Sequence, residues 1–212
     1  MQRTCIGWWT VLDSKNLDAV KRRVAQYVNE GIIRKSTKQN SAFFLTNAKN
    51  SLDCARLLYE VSTQEQMRQA THLVEFNGFL WVVNTSYYAM FYAARALMES
   101  QGRTIKSSQS IHAITFDALV QYGYLSGKLS EACIQDFEQA QDEATQLLGR
   151  EQASKLIEEY EHEKEKRATL TYEIGEIAMQ NKAKTSLERA TRFVEVVRGM
   201  VSEEASGHRL NR

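Results

Sequence analysis

From Phe79 to Met98 the chain reads FLWVVNTSYYAMFYAARALM, and almost every position is apolar or aromatic. A helix built from this run has no face suited to water, so it lies at the centre of a bundle or crosses a membrane. At about 1.5 Å per residue it reaches about 30 Å, and length alone does not decide between the two. Composition does: Asn84, Thr85, Ser86 and Arg95 interrupt the run, and no second segment compares with it. The expectation is the central helix of an all-α domain, with no membrane span.

The rest of the chain is amphipathic at helical spacing. Leu17, Val20, Val24 and Val28 mark a short helix, with Gly31 as its C-terminal cap. GIIRKSTKQNS (31–41) reads as a loop or short extended piece, basic at Arg34, Lys35 and Lys38. A second helix is predicted over 41–62, with Leu45, Ala48, Leu52, Ala55 and Tyr59 on one stripe; residues 62–78 are a polar connection or a short helix. After the central helix, closed by Gly102, residues 102–110 are predicted to be a polar loop carrying Arg103 and Lys106.

A helix over 110–123 turns Ile111, Ala118 and Tyr122 inward. Ser130 suits the N-cap of the next, whose stripe is Cys133, Phe137, Ala140, Ala144 and Leu147 and whose predicted end is Gly149. A long helix is then expected over 151–179 and a last one over 182–202, where Ala183, Leu187, Ala190, Val194, Val197 and Val201 alternate steps of four and three. Lys184, Glu188, Arg192, Glu195 and Arg198 form its solvated face. The predicted organisation is an N-terminal extension with a short helix (1–40), an antiparallel helical bundle around the buried central helix (41–202) and a disordered tail (203–212).

Composition narrows the class. The 212 residues include no proline and only ten glycines, too few turn formers for a β-rich fold of this length. A net charge of +1 gives no global footprint for nucleic acid but permits a local basic cleft. Cys5, Cys54 and Cys133 are far apart, form no CxxC pair and have no histidine at metal spacing. The expectation is reduced thiols in a cytoplasmic protein, with no metal and no cofactor. The first residues contain no apolar stretch of signal-peptide length, so no export signal is expected.

One anomaly bears on chemistry. The inward stripe of the predicted 151–179 helix is Leu156, Tyr160, Glu163, Arg167, Leu170, Ile174 and Ile177, with Glu163 and Arg167 where apolar residues belong. A buried guanidinium is costly without a partner, so Arg167 needs an ion pair or a solvent-filled cleft. A pair with Glu163 one turn earlier is the structurally bland alternative, and the run EEYEHEKEKR otherwise reads as a solvated face.

SYYAMFYAARALMES (86–100), followed later by KRATLTYE (166–173) and KAKTSLERATRFVEVV (182–197), resembles the HEPN family, in particular its small stand-alone prokaryotic members. SAFFLTNAKNSLDCARLLYE (41–60) fits that family's first helix and SIHAITFDALV (110–120) the helix after the central one, so the resemblance covers about 41–200. It implies a helical bundle that forms a homodimer and brings two Arg motifs together across a cleft. It also implies a metal-independent endoribonuclease acting as a toxin or defence effector, often with a nucleotidyltransferase-like antitoxin as partner. The family signature is an Arg, four to six residues, then a His. Arg167 matches the first position, but Tyr172 stands at the second, and no histidine follows until His208.

The replacement matters. Cleavage of RNA through its 2′-OH needs a base and an acid, and histidine with a pKa of about 6.5 serves as either near neutrality. Tyrosine, near 10, donates hydrogen bonds or stacks on bases but is a poor base. Residues five apart lie about 140° apart on a helix, so Arg167 and Tyr172 do not share a face.

His112, near Lys106 and Ser110, is the other acid–base candidate, although a lone histidine at a helix start is more often structural. His72 and His162 sit in polar surroundings. Tyr87, Tyr88 and Tyr92 suit base stacking, yet core packing is the commoner role.

Two readings follow. In the first, Arg167 holds the scissile phosphate, Tyr172 orients RNA or donates a proton, His112 assists, and Lys106, Asn84 and Ser86 contact RNA. In the second, the chain is a catalytically silent scaffold for nucleotide, RNA or a nucleotidyltransferase partner that modifies Tyr172. The bland third is a helical interaction module with no site.

Overall fold

The apolar run forms a helix from end to end. In this computed structural model, which describes residues 12–36, 40–106, 110–158 and 169–210, α4 spans Phe79–Ser100; only Trp81 and Tyr88 are exposed, and Leu80, Thr85 and Tyr92 are partly so. Among the described residues the fold is all-α apart from one two-stranded ribbon. Before α4 come α1 (Ser14–Asn29), β1 (Ile33–Lys35), α2 (Ser41–Thr63) and α3 (Glu65–Ala70). After it come β2 (Arg103–Ile105), α5 (Ile111–Leu119) with a π-helical turn over Val120–Tyr124, α6 (Glu131–Glu158) and α7 (Thr169–Leu210).

Contacts between their ends fix the directions of the long helices. The Gly78 N–H donates to Ser62 Oγ at 2.8 Å, and the Asn40 N–H reaches Glu99 Oε2 at 3.4 Å, so α2 runs antiparallel to α4. Ala183 shares a buried cluster with Phe79 and Val83, while Ser100 Oγ donates to Glu204 at the far end, so α7 runs parallel to α4. α6 is antiparallel to α7, joined by Leu147 beside Ala183 and by Glu143 and Asp136 on Arg189. α1 lays Val20 and Val24 into the main core, and Arg23 ties it to Asp117 of α5.

Several boundaries differ from the sequence expectation. Residues 103–105, expected in a loop, pair antiparallel with β1 in the register Ile33↔Ile105, Arg34↔Thr104, Lys35↔Arg103. Each strand has one buried apolar residue, too little alternation to read as period two. Gly102, at φ +67°, supplies the left-handed turn from α4 into β2.

Gly149 does not end α6, because an isolated glycine costs a helix only about 1 kcal/mol and tertiary packing overrides that. No break occurs near 180 either: α7 is continuous there, since Gln180, Asn181 and Lys182 include neither glycine nor proline. α7 also continues past 202 to Leu210, with Glu204 bound by Ser100 and Lys128. The polar connection after α2 does contain a short helix, α3.

Candidate functional site

His112 occupies the first turn of α5, after Ser110 at φ +53°. Across the helix interface its Nδ1 lies 2.7 Å from the Tyr87 hydroxyl of α4. One proton occupies that contact, from the phenol to Nδ1 or from Nδ1–H to the phenol oxygen according to the imidazole tautomer. The imidazole lies 4.4 Å, centroid to centroid, from Phe91, with Tyr88 edge-on at 5.9 Å.

Burial lowers the pKa of His112 below its ordinary value, and burial, with Tyr88 adding, raises that of Tyr87. Both groups are therefore neutral at pH 7. A neutral imidazole in this setting can accept or donate a hydrogen bond at the edge of an aromatic surface formed by Tyr88, Tyr92 and Phe44.

Beside it, Arg95 of α4 is 9% exposed. It donates to the Ile105 carbonyl at 3.2 Å and stands 4.8 Å from the Phe44 ring centroid. Burial pulls its pKa down while the charge of Glu99 pushes it up. Arg95 therefore ties the α2–α4 interface to the ribbon.

The other expected site residues are scattered. Arg167 and Glu163 lie outside the described residues. Tyr172 falls in the first turn of α7. It precedes Ala183, which packs level with Val83, by about 16 Å of helix at 1.5 Å per residue. His112 is level with Tyr87 and Phe91, farther along α4 in the opposite direction. Within one protomer, His112 and Tyr172 are thus separated by more than about 20 Å along the bundle.

Asn84 and Ser86 do not offer themselves to RNA: they are 3% and 1% exposed, inside the bundle. Asn84 Nδ2 donates to the Leu80 carbonyl at 3.2 Å, while Asn84 Oδ1 and Ser86 Oγ have no partner among the described residues. Lys106 is exposed at the end of β2, where its backbone N–H donates to Ile32.

Sequence reasoning missed two ionic clusters. Arg23 grips the buried Asp117 through Nε and Nη2, at 2.7 and 2.6 Å, and Tyr27 adds its hydroxyl at 3.3 Å. That bond to Asp117 raises the Arg23 pKa, and burial raises that of Tyr27. Arg189, 3% exposed, binds Glu143 at 2.9 Å and Asp136 at 3.5 Å. The signal available for Arg189 was its place three residues after Ser186 and four before Phe193, both on the inward face.

At the other end of the bundle, Ser62, Thr63, Arg68, Glu75, Asn77 and Gln180 line much of an open polar pocket of about 340 Å³. Arg68 is partly committed there, donating to the Ser62 carbonyl at 2.7 Å. Among the described residues no group of three or more His, Cys, Asp or Glu could hold a metal, and no helix is long and apolar enough to cross a membrane. No protein-family model matches the chain, and no curated protein matches it in sequence.

Proposed function

We propose that the chain is a HEPN-type, RNA-directed protein that acts as a homodimer, and that one protomer binds RNA without completing a cleavage site. The class rests on the resemblance carried by the aromatic central helix, the Arg167–Tyr172 motif and the final helix. The choice of binding over cutting rests on one observation: the unbroken course of α7 keeps Tyr172 more than about 20 Å from His112. General acid–base catalysis needs its groups within hydrogen-bond reach of the reacting proton, and a tyrosine at the motif's second position is a poor base. Arg167 keeps the role that needs no proton transfer, a planar fork on a phosphate.

A second reading is a metal-independent endoribonuclease, a toxin or defence effector. The partly exposed, neutral His112 favours it, provided that the other protomer delivers this residue to Arg167. Incubating wild type and Arg167→Ala with a mixed RNA pool in EDTA separates the two. Binding without cleavage, weakened in Arg167→Ala, is the expected result. Cleavage by wild type alone, leaving 2′,3′-cyclic phosphate ends, would establish the nuclease. Neither binding nor cleavage by folded dimer would leave the scaffold for a nucleotidyltransferase partner, tested by mass analysis of Tyr172 after incubation with such an enzyme and ATP.

A further inference from the structure

The β1–β2 ribbon is cationic in a way its own stability does not require. Lys35 stands directly across from Arg103, with Arg34 beside it and Lys106 one residue past the strand end. Like charges facing each other across a strand pair are destabilising. Elsewhere on the surface basic residues face a carboxylate: Lys21 on Asp18, Arg23 on Asp117, Lys49 on Asp53 and Lys128 on Glu204. The four ribbon cations have no carboxylate partner among the described residues. Arg34 donates to the Gly31 carbonyl, and Arg103 lies 4.1 Å over the Tyr122 ring and donates to Gln101. The nearby acids are otherwise engaged: Glu99 is 1% exposed, Glu30 accepts from Gln26, and Glu204 is held by Lys128 and Ser100.

An exposed aromatic ring is linked to the ribbon through two neighbouring side chains. Phe43, 63% exposed in the first turn of α2, packs edge-on against Phe44 at 5.3 Å. The Arg95 guanidinium sits on Phe44 and binds the carbonyl of Ile105 in β2. Phe43 is therefore linked to the ribbon through Phe44, which is partly buried, and Arg95, which is buried.

A cationic track with an aromatic platform is how proteins hold single-stranded nucleic acid: the charges follow the backbone and an unpaired base stacks on the ring. We propose that the β1–β2 ribbon and Phe43 form a docking surface for single-stranded RNA. Arg34, Lys35, Arg103 and Lys106 would sit on phosphates and Phe43 under a base, at a place distinct from the start of α7 where Tyr172 lies. With about 10 Å of strand on each side, the ribbon is too short to track a duplex groove, which also leaves no base free to stack. The choice of RNA rests on the functional reading above; the surface rests on the ribbon.

The test is fluorescence anisotropy of a labelled oligouridylate titrated with the full chain over a range of salt. Four phosphate contacts on a single strand give a slope of log affinity against log salt of about −2.8. The double variant Lys35→Ser/Lys106→Ser should flatten that slope by about 1.4. Phe43→Ala should weaken binding about tenfold while leaving the slope unchanged. Because Lys35→Ser removes a like-charge pair, its melting temperature at low salt should equal or exceed that of wild type, which excludes unfolding as the cause.

Unchanged slope and affinity in the ribbon variants, with binding lost in Arg167→Ala, would overturn the ribbon surface and leave the HEPN reading standing. No RNA bound by folded wild type would overturn both. Tighter binding to phosphatidylserine vesicles than to RNA, lost in the same variants, would overturn RNA as the occupant.

Discussion

His112 shows what one side chain's surroundings decide. Its ordinary pKa would leave it part-charged near neutrality, but half-burial against Phe91 and Tyr87 favours the neutral ring. A histidine pKa lowered by folding means that the unfolded chain takes up its proton first as pH falls. The associated stability is complete above about pH 6.5 and is lost as pH drops from there toward the folded pKa. His112→Asn, which keeps an acceptor near the Tyr87 hydroxyl, should remove that part of the acid slope. Melting temperatures measured across this range should converge between variant and wild type as pH falls; parallel curves would refute the assignment. The sequence placed His112 at a helix start but gave no sign of Tyr87, whose contact depends on how α5 crosses α4.

At the scale of elements, the α6–α7 pair is held by a buried arginine. Arg189→Ala would strip the cationic partner from Glu143, itself only 14% exposed, and leave its carboxylate inside the interface with only the neutral donors Ser186 and Gln139. A loss of about 3 kcal/mol or more in urea unfolding is expected. Burial and neighbouring charges raise the pKa values of Glu138 and Asp142 on the same helix, so unpaired negative charge is already disfavoured there.

Gly102 is the corresponding backbone feature of the ribbon. Gly102→Ala must hold a side chain at φ +67° and bring its Cβ to 3.4 Å from the Ser36 carbonyl, and about 1 kcal/mol of stability should be lost. α2 and α4 were legible almost to the residue because their stripes are long and apolar. The ribbon was not, since three residues per strand carry too little alternation and its pairing joins segments about 70 positions apart.

The whole molecule is organised by two long helices that run side by side in the same direction. α7 begins about 20 Å before the level of α4's first turn, and α6 returns along it. The start of α7, with Tyr172, thus lies at one end of the bundle, while His112, the ribbon and Phe43 lie toward the other. α1 joins the second group through Arg23, whose two bonds satisfy a carboxylate 5% exposed. Arg23→Ala should cost about 2 kcal/mol in unfolding and increase hydrogen exchange along α1 ahead of the rest of the bundle. Uniform protection across α1 and α4 in that variant would show that the apolar contacts of Val20 and Val24 suffice.

The sequence by itself determined most of the helices and their inner faces, because burial of apolar stripes is local, periodic and large in free energy; the exceptions are the helix expected over 151–179, divided instead between α6 and α7, and Val28 and Ile177, expected inward but exposed. It also determined that α4 is central, since a helix with almost no polar face has nowhere else to go. Only the tertiary structure decided which polar side chains meet, because a hydrogen bond or an ion pair depends on directions and distances between segments that sequence spacing does not encode. It buried Asn84 and Ser86, separated His112 from Tyr172, gave Arg189 and Arg23 their carboxylates, and set Lys35 across from Arg103.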